Sequence, residues 1–205
     1  MRTGLFLFGN SSELIQITQL ENRDYITLKR SVYREYSRAY DDDRERFVTG
    51  TALTERIDWA LEPLQPGESL LDLGCGSGRL LRQAPDLSGG NGLLIGLDLT
   101  PDMLALSKLE LGRDVTLVEG IANTGLPLKD SSFDLVTSLN LVQELPTEAV
   151  PSLFGGVHRL LRAGARSGPS FPAWPKTTRP PICFARCGRS TGPWISGTRM
   201  TSRSC

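Results

Sequence analysis

Three glycines at alternating positions, Gly74, Gly76 and Gly78, follow the acid Asp72 at the end of an apolar run, Leu70-Leu71-Asp72-Leu73. Glycine takes positive φ freely and lets a ligand approach the main chain, and a helix starting just after such a turn offers unpaired N–H groups to an anion. The spacing predicts strand, tight turn and helix, a cradle for a nucleotide-like ligand. The dinucleotide spacing Gly-x-Gly-x-x-Gly fails in both registers, because Arg79 or Leu81 stands where the third glycine belongs. A second acid, Asp98, closes the apolar run Leu93-Leu94-Ile95-Gly96-Leu97. At the end of a second parallel strand its two oxygens can accept both hydroxyls of a ribose.

The segment Leu70-Leu71-Asp72-Leu73-Gly74-Cys75-Gly76-Ser77-Gly78 resembles the first motif of the class I S-adenosylmethionine-dependent methyltransferases. Asp98-Leu99-Thr100-Pro101-Asp102-Met103-Leu104 resembles their second motif, and Ser132-Phe133-Asp134-Leu135-Val136 their fourth-strand segment. Tyr36-Ser37-Arg38-Ala39-Tyr40-Asp41 resembles the stretch that methyltransferases of the ubiquinone/menaquinone-biosynthesis type lay over the cofactor. The resemblance implies an α/β fold, a Rossmann-like doubly wound and mostly parallel sheet, over roughly residues 30 to 163. It implies S-adenosyl-L-methionine as cofactor and a small-molecule methyl acceptor. A carboxylate beside the loop suits a ligand carrying an ammonium and a sulfonium and would repel a pyrophosphate. The cofactor-binding set it implies is Tyr40, Asp72, Gly74, Cys75, Gly76, Gly78, Asp98, Leu99, Ile121, Ala122 and Asn140. The family commonly has an acid where Ile121 stands, and Asn123 is the alternative acceptor for the adenine edge. Asn140 and Glu144, after the fourth strand, are the candidates for touching the methyl acceptor. No catalytic residue is assigned; His158 has no titratable partner in sequence and reads as structural.

These residues need a scaffold. Leu28, Val32, Tyr36 and Tyr40 recur every fourth residue and predict a helix from Ile26 to about Tyr40. Leu53, Ile57, Ala60, Leu61 and Leu64 predict a second from about Thr51 to Leu64, and a short helix ended by Pro85 follows the glycines. Val115 to Glu119 and Phe133 to Ser138 read as the third and fourth strands. Thr100 and Pro101 start the helix between strands two and three, and Thr147 to Arg162 reads as the last helix.

The chain of 205 residues suits one domain. The zero net charge hides a split. Residues 1–163 hold 16 Lys and Arg against 23 Asp and Glu, a net −7, whereas 164–205 hold seven basic residues and no acid. That last stretch has no Leu or Val and six of the 13 prolines, a composition that predicts irregular structure without the remaining strands. The expectation is a methyltransferase truncated or frame-shifted after about residue 163, divided as an N-terminal segment 1–50 with a capping helix, a core 51–163 and a basic tail 164–205. Cys183, Cys187 and Cys205 lack a fourth ligand, which disfavours zinc. With a four-residue apolar run at the start and no long apolar span, the chain reads as cytoplasmic without a membrane. Three rivals remain: a nucleotide-binding oxidoreductase, a catalytically impaired truncated methyltransferase, and a non-catalytic nucleic-acid-binding protein using the basic tail. A nucleic-acid partner is disfavoured, and the sequence carries no sign of oligomeric state.

Overall fold

The computed structural model describes residues 22–40, 50–122, 125–162, 182–185, 194–195 and 198–199. Asn123, the alternative adenine acceptor, lies outside the described residues. Two helices precede the sheet, α1 (Asn22–Tyr36), followed by a 3₁₀ turn over Ser37–Ala39, and α2 (Gly50–Leu61). Strands β1 (Leu70–Leu73), β2 (Leu94–Asp98) and β3 (Val115–Glu119) follow, with the helices α3 (Ala84–Ser88) and α4 (Pro101–Glu110) between them, and then β4 (Leu135–Ser138). Helix α5 (Val150–Leu160) follows β4.

The four strands are parallel in the order β3-β2-β1-β4, with Leu71 beside Ile95 on one side and Val136 on the other. The chain starts in the middle and winds first one way and then the other, which puts the point of reversal at the C-terminal ends of β1, β2 and β4. Period-two alternation sorts the core into two layers. Leu70, Leu94 and Leu135 face Leu53, Ile57, Ala60 and Leu61 of α2. Leu71, Leu73, Ile95, Leu97 and Val136 face Leu153, Val157 and Leu160 of α5, with Phe133 1% exposed among them. Each of these leucines removed from water contributes about 1.5–3 kcal/mol.

Three sequence expectations are corrected. No helix begins directly after the glycines: residues 79–83 are turns, and the five-residue α3 starts at Ala84 with Pro85 in its first turn, where proline's missing N–H costs nothing. The predicted long last helix is a 3₁₀ turn over Thr147–Ala149 followed by α5, because Pro151 sits at the helix start. The tail is not wholly irregular. Its short strand β5 (Ile182–Ala185) pairs antiparallel with β4, Thr137 beside Cys183, and β6 (Trp194–Ile195) pairs with β7 (Thr198–Arg199). The open edge of β4 presents unpaired N–H and C=O groups, and backbone pairing asks little of composition.

Among the described residues no helix is long and apolar enough to cross a membrane.

Candidate functional site

The glycine loop is closed by its own backbone and by β2. The N–H groups of Gly74 and Cys75 both donate to the Leu97 carbonyl, at 2.7 and 3.1 Å, and that of Gly78 donates to the Cys75 carbonyl. Gly76 donates to Asp98 Oδ2 at 3.0 Å, while Asp98 Oδ1 accepts from Thr100 N–H at 2.9 Å. Asp98 is thus clamped between the loop and the start of α4. Burial pushes its carboxyl above the usual range, and the backbone donors pull the other way. Gly76 has φ +57°, and a Cβ there would lie 3.4 Å from Tyr40 Oη and 3.5 Å from Met103 Cε. The positive φ is what favours glycine there, since a Cβ would meet those two side-chain ends at ordinary contact distance.

Beside it, along one row of the sheet, stand Gly96, Asp72 and Thr137. Thr137 Oγ1 donates to Asp72 Oδ1 at 2.9 Å, and burial, with Asp98 nearby, pushes the Asp72 carboxyl up to about 7. Cys75 folds back over Gly96, where a Cβ would come within 2.9 Å of its Sγ. Burial raises the Cys75 thiol as well, so it stays protonated.

A cleft opens at the C-terminal ends of the strands. Tyr40, Gly74, Gly76, Asp98, Leu99, Ile121, Ala122 and Asn140 line it. The other three sequence candidates, Asp72, Cys75 and Gly78, do not line it, and Asp72 is buried with Thr137 as its hydrogen-bond donor. Asn140 holds φ +64° just past β4, a left-handed turn that asparagine tolerates better than most residues, and it swings Leu141 and Glu144 into the cleft wall. His158 is exposed on α5, away from the cleft.

The sequence reading missed the roof. Tyr25, Ile26, Lys29 and Tyr33 of α1 also line the cleft. Lys29 Nζ pairs with Glu144 Oε2 at 2.5 Å and lies 5.6 Å from the Tyr25 ring centroid. On the opposite lip Arg30 pairs with Glu119 at 2.6 Å and donates to the Leu99 carbonyl. Helix α1 is therefore tied to the β4 side and to the β2–β3 side at once. The four-residue spacing from Tyr25 to Lys29 to Tyr33 was the available signal, since it sets three cleft residues on one helical face.

An open parallel sheet of this order, with a glycine loop after β1 closing on the acid that ends β2, defines a Rossmann-like fold of the class I methyltransferase type. A family model described as a methyltransferase domain matches residues 70–164. An uncharacterized methyltransferase of Synechocystis is 33% identical over 101 residues, 49% of this chain and 45% of that protein. The 18S rRNA (guanine(1575)-N(7))-methyltransferase of Saccharomyces cerevisiae is 32% identical over 148 residues, 62% of this chain and 51% of that protein. Among solved structures, a complex between the Haloferax volcanii Trm112 methyltransferase activator and a methyltransferase contains a chain 27% identical with a TM-score of 0.52, covering 65% of this chain and 57% of that one. The chain spans about half the length of these relatives.

Proposed function

We propose that this chain binds S-adenosylmethionine along the Asp98 side of the cleft and takes part in methyl transfer to a small-molecule acceptor. The observation that carries the reading is the Asp98 carboxylate, fixed by Gly76 and Thr100 N–H groups at the cleft floor. The residues fit the cofactor. Gly74 and Gly76 leave the loop backbone bare, Asp98 suits two ribose hydroxyls, and Leu99, Ile121 and Ala122 offer an apolar wall for a flat base. Asp72, at the end of β1 just before the loop, has its carboxyl held in place by Thr137. When bound, the cofactor supplies an activated methyl group, so the chain's work is to orient two reactants and exclude water. Tyr40, over Gly76, and α1, tied across both lips, do the excluding.

Calorimetric titration of the full chain with S-adenosylhomocysteine and with NAD tests this. Binding of the first alone is expected; binding of NAD alone overturns the reading in favour of an oxidoreductase. The likeness to the yeast enzyme named for an 18S rRNA guanine supports a second reading, in which the acceptor is RNA. Salt-dependent RNA binding by the full chain is the observation that would prefer it.

A further inference from the structure

The cleft has a second polar end that the cofactor reading leaves unused. Among the described residues, the Lys29 ammonium takes only one oxygen of Glu144, Oε2, and Glu144 Oε1 carries no hydrogen bond. The Tyr25 hydroxyl, at the same end, also makes no hydrogen bond among the described residues, and burial with Glu144 nearby holds its phenol well above the ordinary range, so it keeps its proton. One open donor and one open acceptor thus line the cleft together with the apolar Ile26, Leu141 and Leu145.

Charge narrows what can fill this end. Lys29 and Glu144 neutralise each other with side chains only 20% and 33% exposed, so an incoming ion would leave one of three charges without a partner in a half-buried place. An alkylamine, cationic at neutral pH, and a carboxylate are both disfavoured for that reason. A neutral hydroxyl is at once a donor and an acceptor, and it satisfies Glu144 Oε1 and Tyr25 Oη together.

We propose that Tyr25, Lys29 and Glu144 form the acceptor subsite, specific for an uncharged apolar molecule, such as an aromatic ring, that presents a hydroxyl. Glu144 accepts the hydroxyl proton in a hydrogen bond, Tyr25 donates to the hydroxyl oxygen, and Lys29 is the positioning residue that holds the Glu144 carboxylate. This rests on reading the Asp98 end as the cofactor site, since that leaves the β4 side for the acceptor.

The test is calorimetry on the full chain saturated with S-adenosylhomocysteine, using four probes: 2-naphthol, 2-methoxynaphthalene, 2-naphthoate and guanosine monophosphate. The expected result is binding of 2-naphthol, with the methyl ether at least tenfold weaker and no heat from the naphthoate or the nucleotide. Glu144→Gln and Tyr25→Phe should each weaken 2-naphthol about tenfold, and retained S-adenosylhomocysteine binding reports that each variant is folded. Equal affinity for 2-naphthol and its methyl ether, an unchanged affinity in both variants, or binding of the nucleotide in place of 2-naphthol overturns the subsite. Failure of S-adenosylhomocysteine to bind the unmodified chain overturns the cofactor reading instead, and the two failures are read in separate titrations.

Discussion

Thr137 on β4 donates its hydroxyl to Asp72 on β1, the adjacent strand, at 2.9 Å, and Asp72 is 3% exposed. The carboxyl is pushed from 3.8 up to about 7, chiefly by burial. Below pH 4 both folded and unfolded chains hold this proton; between about 4 and 7 only the folded chain does. The folded state thus binds more protons in that window, and the stabilisation falls as pH rises through it, with none left above 7.

Asp72→Asn removes this titration while keeping shape and an acceptor for Thr137. Thermal melts should show the variant gaining on the unmodified chain as pH rises, and melting several degrees higher at pH 8. Parallel melting curves from pH 4 to 8 would show that Asp72 is ionised in the folded state throughout.

Asp98→Ala removes a buried acceptor from the proposed ribose site. A charge-assisted hydrogen bond lost there costs roughly 1.5–3 kcal/mol, about ten- to a hundredfold in affinity for S-adenosylhomocysteine. A change below twofold by calorimetry would return Asp98 to a purely structural clamp of Gly76 and Thr100.

Gly76→Val places a branched side chain at φ +57°, facing Tyr40 and Met103. Cofactor binding should vanish while the helical circular-dichroism signal persists. Undiminished affinity would take the loop out of the site.

Phe133→Ala empties one of the largest fully buried volumes, between β4 and α5. The expected loss is about 3–5 kcal/mol, read as a lower urea midpoint or as failure to fold. A loss below 1 kcal/mol would mean that the α5 layer collapses onto the hole.

Ending the chain at Arg162 removes β5 and bares the β4 edge. Cofactor affinity should be unchanged, since among the described residues no cleft residue lies beyond Leu145, while sedimentation should show concentration-dependent association. A shortened chain that stays monomeric would show that the edge needs no cover.

The sequence by itself determined the α/β class, the four parallel strands and the meeting of the glycine loop with Asp98. Each is local or nearly so: period-two apolar runs mark strands, and a strand-turn-strand unit with a right-handed crossover must bring the end of β2 beside the loop that follows β1. Only the tertiary structure decided what lies behind that loop and above it. Asp72 and Thr137 are 65 residues apart, and Lys29 and Glu144 are 115 apart. No periodicity couples such pairs, because each exists only once separate elements pack against the sheet. The same holds for β5, whose partner is an edge left open by the order of the other strands. Asp72, read from the sequence as facing the ligand, is turned inward because its side of β1 is the side that α2 covers.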